Sequence, residues 1–268
     1  MNVEKKRSLL RISREKARNP HFVNTNSTNI IHQETPSPAQ VQNKKADSSP
    51  VQVNRIKTKI KSSYLGGNLS PDYIGKYKDC DFIVAGCGSS MNSFTDFSKY
   101  YVVGVNDIER ILTPDFLVVV NDYRTFTRGR WEWVRDSMSP VIFSHMTNPG
   151  PINRKESLAL LKLGKRNSPD LNRTDSVDHT MNSPYMGVII AYQLGAKKIG
   201  LVGVDFTQDH FFSKSGTHKL TKGLKNINEE YGVLRAELEK RGVKVANLSS
   251  ISMLSSWPKM TLEEFDRL

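Results

Sequence analysis

The sequence predicts an α/β fold, built on a doubly wound, mostly parallel Rossmann-like sheet of about six strands. Two observations predict it. Runs of Val, Ile, Leu and Phe recur along the chain and are continuous rather than alternating, which is typical of strands covered on both faces. In the last third of the chain the order helix, strand, helix, strand is typical of a right-handed βαβ winding.

The predicted elements follow from these runs and from their ends. An apolar helix over Pro184–Leu194 ends at Gly195, and an amphipathic helix over Leu220–Arg241 ends at Gly242, since glycine commonly ends helices. Six apolar runs are predicted to be strands: Phe82–Ala85, Tyr101–Val105, Phe116–Val120, Val141–Phe143, Ile199–Val204 and Val243–Leu248.

The charge of the chain is concentrated in its N-terminal part. Of a net charge of +12, residues 1–63 carry thirteen Lys and Arg against four Asp and Glu, in a segment rich in Asn, Gln, Ser and Pro. Such a composition buries too little apolar surface to order itself. We therefore expect residues 1–72 to be a disordered basic tail and linker, and residues 73–268 to be a single nucleotide-binding domain. The tail is either a solvated extension or an arm that contacts nucleic acid or another polyanion.

Cysteine and hydropathy patterns bear on the compartment. The two cysteines, Cys80 and Cys87, lie too close in sequence for a disulfide scaffold and lack the companion ligands of a zinc site. We see neither a secretory signal nor a membrane span in the sequence. These features predict a reducing, cytoplasmic compartment, with no metal site and with oligomerisation left open.

A glycine-rich turn follows the first predicted strand. Gly86, Gly88, Ser89 and Ser90 come directly after the apolar run, as in turns that hold a phosphate against helix amides. The pattern lacks the full dinucleotide fingerprint and the Walker lysine, so a tight turn without a ligand is an equally good interpretation.

Further polar residues follow the other predicted strands. Because the carboxyl ends of parallel strands meet at one edge of a sheet, these residues and the glycine turn are expected to share one crevice. They are Asn106 and Asp107, Asn121 and Asp122, Asp205, and Ser183 at the start of the apolar helix. The sequence therefore predicts a ligand site at this edge. Asp205, Asp107 and Asp122 are equally consistent with ordinary turn chemistry.

In their order, these segments resemble a known family. The succession AGCGSS, VGVND, VVVND and NSPYMGVIIAYQLGAKKIGLVGVDF resembles the bacterial sialyltransferases of glycosyltransferase family 42, and more loosely Maf-type and hydroxymethylpterin-diphosphokinase-like proteins. The resemblance covers about residues 81–206 and implies metal-independent transfer of a sugar from a nucleotide donor, with a CMP-sugar favoured. It implies that the donor is held by Gly86, Gly88, Ser89, Ser90, Asn106, Asn121 and Ser183, with Asp205 as a further candidate.

The resemblance also implies a catalytic histidine between the Gly-x-Asp strand and the last long helix. His218 is the nearest match in position and His210 the second, and a histidine suits a general base because its pKa lies near neutrality. The family places two tyrosines in this segment, where the present chain has Thr207 and the Phe211–Phe212 pair.

Two smaller features leave alternatives open. Arg124, Arg128, Arg130, Trp131 and Trp133 mix cations with aromatic rings, as nucleic-acid or glycan surfaces do, but a helix with tryptophans in the core explains them as well. Cys87 is either a thiol activated by a helix N-terminus or a small residue that fits the turn.

Three functions remain in contention at this point. The first is a nucleotide-sugar-dependent glycosyltransferase whose acceptor is a glycan, a protein or modified DNA. The second is a pterin-type diphosphokinase, and the third a phage accessory or structural protein that keeps the fold without catalysis.

Overall fold

The computed structural model describes residues 73–127, 129–146, 150–207 and 223–268, with the backbone of two short strands between the last two segments. The strands are β1 (Cys80–Ala85), β2 (Tyr101–Val105), β3 (Phe116–Val118), β4 (Val141–Ser144), β5 (Leu158–Leu160), β6 (Leu163–Arg166), β7 (Val177–His179), β8 (Ala196–Val202), β9 (Asp209–His210), β10 (Ser213–Lys214) and β11 (Lys244–Asn247). The α-helices are α1 (Arg130–Arg135), α2 (Ser183–Leu194), α3 (Leu224–Lys240) and α4 (Leu262–Asp266). Residues 1–72, to which the tail prediction applies, lie outside the described part.

Seven strands form the central sheet, in the order β11-β8-β1-β2-β3-β4-β5. Each neighbouring pair is parallel. The predicted α/β class and parallel sheet are therefore confirmed, but the number of strands is seven rather than about six. The additional strand is β5, whose three residues are too few to stand out as an apolar run.

Apolar side chains cover both faces of the sheet, as the continuous runs predict. On one face Phe82, Val84 and Val103 pack with α2 and α3, while on the other Ile83, Val102 and Leu117 pack with short turns and with α1 and α4. The two long helices therefore lie on the same face. The connections between β1 and β4 contain only 3-10 turns and the six-residue α1. The α-helix expected directly after the glycine turn is absent, and a 3-10 turn, Ser89–Ser93, takes its place.

The winding of the chain reverses next to β1. From β1 the chain adds β2, β3, β4 and β5 on one side, and it later adds β8 and β11 on the other. The connections after β1 and β8 therefore diverge at the carboxyl edge, which leaves a crevice between them. Within the described residues no helix has the length and hydropathy needed to cross a membrane.

Helix α2 lies close against the strands beside this crevice. It is apolar over most of its surface and buried at ten of its twelve positions, so its sequence suits a helix enclosed by the core. Gly187 permits the close approach, because a Cβ added there would lie 3.0 Å from Val84 Cγ1 and 3.4 Å from Val103 Cγ1. This packing places the N-terminus of α2 at the carboxyl edge of the sheet.

We expect Gly187→Leu to lower the free energy of unfolding by about 1–3 kcal/mol, because the added side chain must displace Val84 and push α2 from the sheet. Gly232→Ala in α3 is the control, since the nearest atom to its added Cβ is Ser256 Cβ at 3.6 Å. It should raise the free energy of unfolding by about 0.5–1 kcal/mol through helix propensity. Urea denaturation measures both, and a neutral or stabilising Gly187→Leu would contradict the packing described.

Candidate functional site

A cleft of about 190 Å³ opens at the carboxyl edge, where the winding of the chain reverses. The ends of β1, β2 and β8, the residues that follow β3, and the start of α2 contribute to its wall. The lining residues are Cys87, Gly88, Val105, Asn106, Asn121, Met181, Asn182, Ser183, Pro184, Gly203, Val204, Asp205, Phe206 and Thr207. Five residues predicted for the site, namely Gly88, Asn106, Asn121, Ser183 and Asp205, are thus brought together.

Two asparagine amides form one wall of the cleft. Asn121 Nδ2 donates a hydrogen bond to Asn106 Oδ1 over 3.4 Å. Asn106 has a left-handed backbone, with φ of 54°, and its N–H donates to Val118 O over 3.1 Å. A left-handed conformation is costly for most residues but tolerated by asparagine. A primary amide has two donor hydrogens and two acceptor lone pairs, so this one bond leaves both side chains with capacity for further hydrogen bonds in the cleft.

The N-terminus of α2 lines the same cleft. Asn182 caps this helix, and its Oδ1 accepts hydrogen bonds from Tyr185 N over 3.3 Å and from the Tyr231 hydroxyl over 2.8 Å. Ser183, the first helical residue, is 8% exposed. The Tyr231 bond joins the cap to α3, so the position of the helix start is set by the core. The partial positive charge of a helix N-terminus therefore faces the cleft.

The glycine turn is fastened to the turn after β8. Ser90 N and Ser90 Oγ donate to Asp205 Oδ2 and Oδ1 over 2.8 and 2.7 Å, and Ser90 Oγ accepts from Gly203 N over 2.9 Å. We call this set of bonds among Ser90, Gly203 and Asp205 the switch-point clamp. Two further amides of the turn, those of Gly86 and Gly88, donate to Val202 O over 2.8 Å and Gly203 O over 2.7 Å.

These bonds engage three amides of the predicted phosphate loop, and ligand contact by the turn stays a prediction. The amides of Gly86, Gly88 and Ser90 point into the protein, and no α-helix begins at the turn to favour an anion. The glycines are needed because the two turns nearly touch: a Cβ on Gly88 would lie 2.7 Å from Gly203 O, and one on Gly86 would collide with the same atom. Gly86, Ser89 and Ser90 do not line the cleft, whereas Gly88 does.

Asp205 lies in the wall of the cleft but is 2% exposed. Both its carboxylate oxygens accept from Ser90, and its carbonyl accepts from Met253 N over 2.8 Å. These contacts give Asp205 a structural role, that of holding three turns together. The predicted contact of Asp205 with a ligand stays a prediction.

The two candidate bases lie beyond the described side chains. The backbone of His210 belongs to β9, which pairs with β10, and its side chain is not described. His218 lies outside the described residues. Their catalytic roles therefore stay predictions. The strand β9 does begin two residues after Thr207, so the segment that holds both histidines follows directly from the cleft.

Several residues of the cleft were not predicted. Phe206 adopts a left-handed backbone, with φ of 55°, which is rare for a bulky residue and is typical of functional sites. Thr207 Oγ1 is buried and has no hydrogen-bond partner within the described part of the chain. No sequence pattern signals either feature, since both depend on how the chain turns after β8.

Beyond β3, two histidines lie near the same edge of the sheet. Burial and, to a smaller extent, the neighbouring His179 lower the pKa of His145. His145 directly follows β4, and His179 ends β7. The Nδ1 atoms of both are buried and lack a hydrogen-bond partner in the described residues. Neither residue lines the cleft.

Two of the remaining candidates, Trp131 and Cys87, have structural explanations, while Arg128 lies outside the described residues. Trp131 is buried in the core, and its Nε1 donates to Pro151 O over 3.1 Å, which confirms a core role for this tryptophan. Burial, followed by the Asp107 carboxylate, raises the pKa of the Cys87 thiol well above its ordinary value. This direction favours the second interpretation, in which Cys87 is a small residue that fits the turn. Among the residues that the structure describes, no group of three metal-ligating side chains is found.

We expect Ser90→Ala to lower the free energy of unfolding by about 2–4 kcal/mol, because the buried Asp205 carboxylate and the Gly203 amide both lose a partner. Ser89→Ala is the matched control, since Ser89 takes no part in the clamp, and it should change the free energy of unfolding by less than about 0.5 kcal/mol. Chemical denaturation of both variants distinguishes them. Equal stability of the two variants would show that the clamp carries little energy.

Comparison with known proteins gives only low similarities. No family model matches the chain, and no curated protein matches it. Among solved structures, the sialyltransferase CstII from Campylobacter jejuni in complex with CMP-3FNeuAc is 13% identical, with a TM-score of 0.41 over 68% of this chain and 86% of that chain. The same enzyme in complex with cytidine-5'-monophosphate is 15% identical, with a TM-score of 0.43 over 69% and 86%. The monofunctional alpha-2,3-sialyltransferase Cst-I from Campylobacter jejuni is 14% identical, with a TM-score of 0.42 over 70% and 82%. Similarities this low assign neither a family nor an activity to this chain.

Proposed function

We propose that this protein is a nucleotide-sugar-dependent glycosyltransferase that binds its donor in the cleft at the carboxyl edge of the sheet. The observation that carries the proposal is that the Asn106–Asn121 amide pair and the N-terminus of α2 line one cleft, where the winding of the chain reverses. In open α/β sheets this is the place where nucleotides bind.

The polarity of the cleft suits a nucleoside phosphate. Amide groups supply the paired donors and acceptors that a base or ribose edge requires. None of the described lining residues is Lys or Arg, and the one lining carboxylate, that of Asp205, is engaged by Ser90. The phosphate charge is therefore met by the dipole of α2 and by the amide and hydroxyl of Ser183. The next two positions add no free amide, since Pro184 has no N–H and Tyr185 N donates to the helix cap.

Several finer assignments are based on the sequence resemblance. It favours a CMP-sugar as donor and transfer without a metal. In the reaction, the acceptor oxygen forms a bond to the anomeric carbon as the bond from that carbon to the phosphate oxygen breaks. The acceptor proton passes to His218, or to His210 in the alternative assignment. The acceptor is a hydroxyl of a glycan, a protein or modified DNA, and the basic tail supplies contacts to a polyanionic acceptor.

A second function, nucleotide binding without catalysis, is favoured by one observation. The amides of Gly86, Gly88 and Ser90 are occupied within the protein, so they offer no stabilisation to a leaving phosphate. The chain also has Thr207 and Phe211–Phe212 where the family it resembles has two tyrosines. Fewer side chains and amides are therefore left to stabilise a leaving phosphate than to bind a nucleotide.

Nucleotide binding and Asn121→Ala test the proposal. We expect CMP to bind to the full chain, as measured by calorimetry. Release of CMP from CMP-sialic acid in the presence of an acceptor is measured separately, because it distinguishes a transferase from a protein that only binds the nucleotide. Asn121→Ala should weaken CMP binding by about three- to tenfold, because one or two hydrogen bonds to the ligand are lost. Asn121 is exposed, so its substitution leaves the fold intact.

Asn226→Ala, on the exposed face of α3, is the matched control and should bind CMP like the wild type. UMP, GMP and AMP are titrated in parallel to identify the base. If none of the four nucleotides binds to the wild-type protein, the proposed function is wrong. Binding that is unaffected by Asn121→Ala would place the ligand elsewhere.

A further inference from the structure

A buried carboxylate lies beneath the amide wall of the cleft. Asp107 is fully buried, and Arg130 Nε lies 3.1 and 3.0 Å from its Oδ1 and Oδ2. Arg130 Nη2 also donates to Asp107 Oδ1, and Arg110 Nη1 lies 3.8 Å from Asp107 Oδ2. The Cys87 thiol donates to Asp107 Oδ1 over 3.8 Å. One carboxylate thus receives contacts from three separate segments of the chain.

The contacts of Asp107 join the turns that carry the lining residues. Cys87 belongs to the turn after β1, Asp107 directly follows the left-handed Asn106 after β2, and Arg130 begins α1 at the end of the loop that starts with Asn121 after β3. The guanidinium of Arg130 also lies 5.6 Å from the centre of the Phe126 ring, in the middle of that loop. The pair therefore ties the residue directly after Asn106 to the end of the loop that follows Asn121.

We infer that Arg130 and Asp107 are positioning residues of the cleft, and that their buried pair holds Asn106 and Asn121 where their amides face the ligand. The inference depends on the proposed function for the identity of the ligand. Arg130 and Asp107 themselves are absent from the lining of the cleft, so they act through the two asparagines.

The shape of the guanidinium makes this role specific. Its planar fork contacts both oxygens of Asp107 and fixes the direction of the carboxylate, and with it the backbone of the preceding Asn106. A lysine keeps the charge but offers a single ammonium on a flexible chain. Arg130→Lys therefore keeps the positive charge beside the buried carboxylate. It removes the two-point contact that fixes the direction of the Asp107 carboxylate.

The test compares Arg130→Lys with Arg173→Lys. Arg173 is a matched control because its Nη1 lies 2.9 Å from Oδ1 of the buried Asp178. Its side chain is 22% exposed, against 21% for that of Arg130. That pair holds the segment between β6 and β7 and contacts none of the cleft asparagines. The two substitutions thus cause the same chemical change in two buried pairs.

We expect Arg130→Lys to weaken CMP binding by about ten- to a hundredfold at a temperature where the variant is folded, because displaced amides lose their hydrogen bonds to the ligand. Arg173→Lys should bind CMP like the wild type even if its melting temperature falls as far. Equal CMP affinities in the two folded variants would overturn the inference, because a merely structural pair alters stability and leaves the affinity of the folded protein unchanged.

Hydrogen exchange provides a measurement that needs no nucleotide. In Arg130→Lys the amides of residues 104–107 and 121–127 should exchange faster than in the wild type, while in Arg173→Lys they should not change. Unchanged exchange in these segments of Arg130→Lys would overturn the inference, whatever the binding result. If the wild type binds no nucleotide but exchange responds as expected, the proposed function fails and the positioning of the asparagines stands.

Discussion

The hydrogen bonds among Ser90, Gly203 and Asp205 hold the turn after β1 against the turn after β8, and the cleft exists because these two turns stay together at the base of the crevice. The bonds are buried, so the groups have no water to replace a lost partner. Asp205 extends the same constraint to the loop after β11, since its carbonyl accepts from Met253 N and the carbonyl of its neighbour Val204 accepts from the Ser252 hydroxyl. The glycine turn thus has a structural role, that of joining the ends of β1 and β8.

The proposed binding groups lie on elements next to this joint. They are the Asn106–Asn121 pair and the capped N-terminus of α2, which line the same cleft. Residues outside the cleft lining hold both groups in place. Asp107 and Arg130 support the amides. The close packing at Gly187 and the hydrogen bond from Tyr231 to Asn182 support the helix. Such support is what a preorganised binding site requires, because the groups that contact a ligand keep their geometry without it.

The sequence was informative about the fold because the strands are apolar on both faces. Runs such as Phe82–Ala85 and Tyr101–Val105 are unambiguous, while β5 is too short to be seen and joins the edge only through pairing with β4. Because the strands are parallel, the sequence also indicated which of their ends would meet, and Asn106, Asn121 and Ser183 do share a cleft.

What the sequence could not reveal are contacts between distant segments. Ser90 and its partner Asp205 are 115 residues apart in the chain. The local pattern therefore suggested free amides, whereas the amides of Gly86, Gly88 and Ser90 all donate within the protein. The sequence places Arg130 among neighbouring cations and tryptophans and leaves its role open, yet its partner is a buried aspartate 23 residues earlier. The left-handed backbone of Phe206 likewise depends on tertiary packing and has no local signal.

A titration of isotope-labelled protein with CMP, followed by backbone amide chemical shifts, tests the central claim most directly. The account predicts the largest shift changes at residues 105–107, 119–123 and 181–185, with small changes at Gly86, Gly88 and Ser90, whose amides donate within the protein. Changes centred elsewhere, for example on the separate groove of about 300 Å³ beside Gly242 and Val245, would contradict it. So would changes dominated by the Gly86–Ser90 amides, since the switch-point clamp would then have to open for the ligand to bind.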